Sequence, residues 1–249
     1  MTKFIGGLLG LMLSTMPAFA TTSPATVEYP GEGWDVQSPE EIARARREIE
    51  ALFTGDDEPR FHSESERLRV LDRYSYLDPR HEVPADLLQQ AVLYFDANKA
   101  KFPNQNFITV VDFGPRSDNY RFFLINMSTG AVEKYHTTHG IHSDPKKNGY
   151  ARVFGNGIGS GKSSLGYART AEVYEGKFKR AVRLDGLSKT NSNLRARAVV
   201  LHGWDGVHEK NEIQGLSWGC ITLDWALKDA VIDKVKDGSL IYVGRNSGK

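Results

Sequence analysis

A mostly-β domain of the α+β class is what this sequence predicts: a compact β-sandwich or barrel with a few helices, preceded by a helical N-terminal segment. Three observations lead there. Helical periodicity is concentrated between residues 38 and 101. After Pro103 the pattern switches to short β-branched and aromatic runs. Those runs are joined by Gly-rich connections and followed by one late helix, as in a compact β domain with few helices.

Each element has its own signal. Residues 21–37 are rich in Pro, Gly and Thr and read as a mobile lead-in. At Ser38 a first helix begins: Ser38 can cap, Pro39 suits the first turn and Glu41 completes a capping box. Ile42, Ala45, Ile49 and Leu52 then share one face. A second helix fits Glu64 to about Tyr76, with Leu68, Leu71 and Tyr74 apolar, and Asp78-Pro79 ends it. A third runs from about Ala85 to Lys101 on a stripe of Leu88, Ala91, Val92 and Phe95. Phe107 to Val111 reads as a strand. Tyr120 to Met127 and Ala131 to Thr137 form a hairpin around Ser128-Thr129-Gly130. Further strands fit 170–175, 181–185, 197–202 and 239–243, and a last helix fits Trp225 to Lys236.

The first twenty residues have the layout of a cleaved export signal: Lys3, an apolar run from Phe4 to Leu13, Pro17, then Ala18-Phe19-Ala20. The apolar run is too short to span a bilayer comfortably. The expectation is an exported protein of the periplasm or cell envelope, cleaved near Ala20, with no stable membrane anchor. The chain carries 32 basic and 31 acidic residues. The leader takes one Lys and no acid, leaving 31 against 31 and no nucleic-acid footprint. Cys220 is the only cysteine, so no disulfide forms within the chain. It lies far from the leader, which excludes a lipid-anchored form. An unpaired thiol in an oxidising compartment is inert, paired with another chain, or chemically used.

Three constellations carry possible chemistry. GNGIGSGKSS (155–164) approaches the phosphate-loop pattern, but Asn156 stands where the first Gly belongs and no helix pattern follows. A flexible loop is the better reading. His136, His139 and His142 cluster in HTTHGIH and could ligate zinc, yet Gly140 interrupts them and no H-E-x-x-H pattern occurs. Hydrogen-bonded or loop histidines are the simpler reading, with no metal and no cofactor. The third constellation pairs Cys220 with His202, at the end of the strand-like run AVVLH. A free thiol is mostly protonated at neutral pH, and a nearby imidazole can take its proton. Gly219 lets a backbone amide approach a developing oxyanion. The residues alone leave a catalytic pair and an inert thiol both open.

In this third constellation His202 is followed by fourteen residues and then Ser217-Trp218-Gly219-Cys220. Thr138-His139-Gly140, Gly159 to Gly166, Tyr174-Glu175-Gly176-Lys177, Val182 to Leu187 and NSNLRARAVVLHG (191–203) occur in compatible order. Over roughly residues 80–245 the chain resembles the murein L,D-transpeptidase catalytic domains of the YkuD-like superfamily. The resemblance implies the family's compact β-sandwich or barrel over 80–245, with 21–79 as lead-in and helical accessory segment. It implies Cys220 as nucleophile, His202 as base, Gly219 at the oxyanion and Ser217 orienting His202 through its backbone carbonyl or its hydroxyl. It places Trp218, Gly203, His139, Ser163, Ser164 and Arg183 along the substrate cleft. Peptidoglycan stem peptides are the implied partners. The implied activity is L,D-transpeptidation, with L,D-carboxypeptidation or non-catalytic wall binding as alternatives. Two positions depart from the family pattern: Trp218 replaces the usual second His, and Thr222 stands two residues after the cysteine.

Overall fold

The computed structural model describes residues 36–53 and 63–246, so the leader at 1–20 and nearly all of the lead-in at 21–37 lie outside the described residues. The capping box at Ser38 forms as spelled: its hydroxyl accepts from Glu41 N at 3.2 Å, while the Glu41 carboxylate accepts from Ser38 N at 2.8 Å. This opens α1 (Pro39–Leu52). The second helix, α2 (Glu64–Arg73), stops short of Tyr76. The chain turns there because the Asp78 carboxylate collects the N–H groups of Glu82 and Val83 while Asp78 N donates to Gly130 O. The third, α3 (Ala85–Asn98), ends in a 3₁₀ turn over Lys99–Lys101.

Ten strands follow. They are β1 (Phe107–Asp112), β2 (Phe122–Asn126), β3 (Val132–Tyr135), β4 (His139–Gly140), β5 (Gly166–Gly176), β6 (Lys179–Gly186), β7 (Val200–Gly203), β8 (Leu216–Ser217), β9 (Ile221–Leu223) and β10 (Leu240–Gly244). Between β9 and β10 lies α4 (Lys228–Val235). It starts three residues later than expected, since Asp224 and the Trp225–Asp205 bond hold residues 224–227 in a turn. One sheet runs β3-β2-β1-β10-β5-β6-β7-β9, and β4 pairs with β8 in a separate parallel ladder. In the large sheet only β1–β10 and β7–β9 are parallel. The β4–β8 ladder and a 2.7 Å bond between the Thr138 and Thr222 hydroxyls join the chain after β3 to the chain around β9. The sheet therefore almost closes into a barrel.

Two apolar layers follow from strand alternation. In β1, Ile108 and Val110 face the helices, where Phe53, Tyr74, Leu87, Phe95 and Phe102 pack. Val111 faces the other way, into a layer with Leu184, Leu201, Ile221, Val231 and Ile232. A strand buried on both faces reads as a continuous apolar run, which is why Phe107–Val111 shows little alternation. No helix among the described residues is long and apolar enough to cross a membrane.

Candidate active site

The strands β5, β6, β7 and β9 carry one set of side chains on a shared face. Register pairs Tyr174 with Ala181, Arg183 with Val200, and His202 with Thr222. Paired residues point to the same side of a sheet, and so do positions two apart along a strand. Cys220, two before Thr222, therefore falls on the face of His202, diagonally across two parallel strands. Cys220 packs there with Ala181 and Val200, with Tyr174 against the cluster. The opposite face of the same strands (Val182, Leu184, Leu201, Ile221, Leu223) belongs to the interior core.

His202 is held from two sides. Its Nδ1–H donates to the Gly203 carbonyl at 2.8 Å, which leaves Nε2 as the basic nitrogen. Phe178, at the tip of the β5–β6 hairpin, stacks on its ring at 3.9 Å. Burial pushes the imidazole down to about 4, the Gly203 carbonyl opposes that shift, and Lys228 adds to it. Gly203 has no room for a side chain: a Cβ would lie 2.5 Å from the Trp225 ring and 2.6 Å from Lys228 Cδ.

Cys220 is 5 % exposed. Burial pushes its thiol up to about 11, against the pull of the Val200 amide and the Arg197 charge. Its S–H donates to the Ala198 carbonyl at 3.7 Å, and none of the hydrogen bonds among the described residues joins it to His202. In this conformation the two are a neutral thiol and a neutral imidazole, not the ion pair that chemistry at the site would use. The turn before the thiol is tightly built. Gly219 has φ +111, and a Cβ there would lie 2.6 Å from the Lys162 carbonyl. Only glycine meets both conditions without strain.

Ser217, expected to orient His202, does something else. Its hydroxyl donates to the Cys220 carbonyl at 2.9 Å and accepts from Gly219 N at 3.1 Å. It fastens the cysteine turn, and the Gly203 carbonyl orients the imidazole instead. The Gly219 amide is thereby engaged rather than turned toward an oxyanion.

The cleft residues also divide. Trp218 lies beside Gly161 and meets the His142 ring edge-on at 5.6 Å, so the 155–164 loop packs beside the turn that carries Cys220. Ser163 and Ser164 are buried fasteners of that loop: Ser163 accepts from Gly140 N, and Ser164 donates to Gly155 O. Arg183 lies over the Tyr174 ring at 4.1 Å and pairs with Glu172. His139 is fully buried. Its Nδ1 accepts from Arg121 at 2.9 Å, and Nε2 lies 3.7 Å from Asp144. Burial, then the Arg121 charge, push it well below the ordinary histidine range. His136 bonds Glu209 and the Asp118 carbonyl, and His142 bonds the Ser160 carbonyl. The three histidines thus serve three separate networks. Among the described residues no group of three or more His, Cys, Asp or Glu is placed to hold a metal ion.

Two residues of the site escape sequence reasoning. Phe178 stands out only as a large apolar side chain in the polar tip Gly176-Lys177-Phe178-Lys179. Arg197 lies in the NSNLRARAVVLHG run, but no periodicity distinguishes it from Arg195.

A thiol and an imidazole on one face of adjacent strands, beside a glycine turn, form an arrangement able to support cysteine-dependent acyl transfer. The family is specific. Residues 79–243 match the model described as L,D-transpeptidase catalytic domain (YkuD_2), and the chain belongs to that family. Among solved structures it is similar to an L,D-transpeptidase from Mycobacterium smegmatis, at 17 % identity and TM-score 0.35, covering 56 % of this chain and 58 % of that one. It is also similar to one from Xylanimonas cellulosilytica, at 14 % identity and TM-score 0.34, covering 89 % and 100 %. A third, from Stackebrandtia nassauensis, shows 12 % identity and TM-score 0.34, covering 91 % and 100 %. The chain thus spans under two thirds of the mycobacterial protein. No curated protein sequence matches it.

Proposed function

We propose that this protein is a cell-envelope L,D-transpeptidase in which Cys220 is the nucleophile and His202 the base. Family membership over residues 79–243, with both residues on one face of β7–β9, carries the reading. The Cys220 sulfur attacks the carbonyl of the third stem residue, an L-centre diamino acid followed by D-alanine. His202 Nε2 takes the thiol proton and returns it to the departing amine. The C–N bond breaks, D-alanine leaves and a thioester remains. An amine of a neighbouring stem then attacks, gives its proton to His202 and displaces the thiolate, forming a 3→3 cross-link. Water in place of the amine makes the same site an L,D-carboxypeptidase. The Cys220 amide would stabilise the tetrahedral oxyanion. Opening of the hairpin tip at Phe178 would precede these steps, because both reacting groups are buried and neutral beneath their surroundings. An export signal at residues 1–20 fits a wall substrate, with the catalytic unit over 80–245.

One observation favours a second reading, a non-catalytic wall-binding module: the thiol packs among Ala181 and Val200 like a small apolar side chain. The deciding experiment digests tetrapeptide muropeptides with the mature protein and weighs the products. Loss of D-alanine that disappears in Cys220→Ala supports the enzyme. Undiminished turnover in that variant ends the cysteine mechanism, and binding without turnover in either protein supports the module.

A further inference from the structure

Arg197 and Arg195 are two residues apart and have opposite surroundings. Arg195 is neutralised by Glu172, at 2.7 Å, and by Asp185. The Arg197 guanidinium meets only neutral acceptors: the Gly155 carbonyl at 3.1 Å, Ser164 Oγ at 2.6 Å and the Lys162 carbonyl. Among the described residues no carboxylate pairs with it. It is half-buried, so its charge is partly stripped of water without an anion in return. The same guanidinium lies beside the cysteine turn: a Cβ built on Gly219 would be 3.0 Å from Nη2. The anion it lacks is one this site can make, the Cys220 thiolate. Burial lowers the Arg197 pKa, and the one charge acting the other way is Cys220.

We propose that Arg197 is a positioning residue of the thiol site, bolting the 155–164 loop to the Gly219–Cys220 turn and supplying the cation that stabilises the Cys220 thiolate. The inference rests on Cys220 being the reactive thiol of the proposed transpeptidase. The other titratable or charged groups around Cys220 are few. His202 lies on β7, Tyr174 on β5 and Arg183 on β6 over the Tyr174 ring, while Lys162 sits on the loop. Of these cations Arg197 is the one whose charge pulls the Cys220 thiol down, and its Nη2 lies beside Gly219. His202 is neutral in the closed site and serves as base, so the two roles divide: Arg197 holds the charge, and His202 moves the proton.

Because Cys220 is the only cysteine, iodoacetamide labelling of the mature protein reads this one thiol. Rates are measured from pH 6 to 11 for wild type, Arg197→Gln, Arg197→Lys and His202→Ala. Arg197→Gln is expected to move the labelling curve at least one pH unit alkaline, which reads as about tenfold slower labelling at every pH below the wild-type midpoint. Arg197→Lys keeps the charge but not the fork that reaches Gly155, Ser164 and Lys162, so it is expected to recover at least half of that shift. Superimposable curves for wild type and a folded Arg197→Gln overturn the proposal. So does an Arg197→Lys curve displaced by a full unit in a protein with native circular dichroism, and this variant decides alone where Arg197→Gln does not fold. Failure of the transpeptidase reading registers separately, as muropeptide turnover retained in Cys220→Ala, whatever the labelling curves show.

Discussion

Phe178 lies nearly parallel to the imidazole of His202, with ring centroids 3.9 Å apart and planes 25° apart. The contact ties the tip of the β5–β6 hairpin to the proposed base and keeps water from one face of the ring. It helps explain why a histidine meant to accept a proton is pushed down to about 4 by burial. Phe178→Ala removes that cover. The His202 titration, followed by the proton NMR signal of its ring, should rise by a unit or more toward the ordinary value near 6.5. Cys220 should also alkylate faster at neutral pH. An unmoved His202 midpoint would show that the strand environment alone keeps the ring neutral.

The same depression makes stability depend on pH. His202 binds a proton near 6.5 when unfolded and near 4 when folded, so the unfolded chain holds more protons between those values. Its contribution is fully present above 6.5 and is lost as pH falls toward 4. The slope is at most about 1.4 kcal/mol per pH unit for this one group, or about 3 kcal/mol across the window. His139, also pushed down by burial, adds a loss of the same sign. Urea midpoints should therefore fall steadily from pH 7 to pH 4, and His202→Gln should flatten part of that slope. Equal slopes in the two proteins would assign the acid sensitivity elsewhere.

Gly219→Ala should damage the site more than any change of comparable size nearby. The residue sits at φ +111, where side chains are rarely accommodated, and the new Cβ would meet the Lys162 carbonyl at 2.6 Å and the Arg197 guanidinium at 3.0 Å. Backbone strain of this kind is typically worth ~1–3 kcal/mol, and the collision adds to it. We expect a lower melting temperature and a loss of turnover of tenfold or more, while Ser217→Ala, which removes a hydroxyl bridging Cys220 O and Gly219 N, weakens the same turn less. A Gly219→Ala protein with native melting and turnover would show that this turn is not fixed as the structure has it.

Most of the fold was legible because its signals are local. The Ser38–Glu41 box and the alternating faces of the long strands need no tertiary knowledge. The short strands β4, β8 and β9 were not legible: two or three residues carry no period, and only pairing with distant partners makes them strands. The His202–Cys220 pair was readable as spacing, since register on β7 and β9 turns eighteen residues of sequence into a diagonal on one face. Its closed, neutral state was not readable, because burial comes from the Phe178 hairpin and the Tyr174–Ala181 pair, both far away in sequence. The Ser217 hydroxyl does not orient His202 for a related reason: its neighbours in sequence are also its hydrogen-bond partners, so it never reaches the imidazole, whose Nδ1 bonds the Gly203 carbonyl.

The N-terminal helices give the last prediction. Residues 21–78 have no counterpart in the family match, which begins at residue 79, and α1 looks dispensable on that ground. Packing argues otherwise. Ile49 and Phe53 are buried in the same apolar layer as Phe95, Phe102 and Leu187, and the Phe53 ring lies 5.6 Å from that of Phe102. Arg46 adds a 3.0 Å bond to Asn193, on the segment that leads to Arg197 and β7. Truncating buried side chains such as Ile or Phe costs roughly 2–5 kcal/mol each. Deleting residues 21–60 should therefore lower the melting temperature by on the order of 10 °C for a domain of this size. The double variant Ile49→Ala, Phe53→Ala should reproduce most of the fall with α1 still present, which separates lost packing from a lost segment. A truncated protein that melts with the full-length one would place the start of the catalytic unit after α1 and leave that helix free for another role.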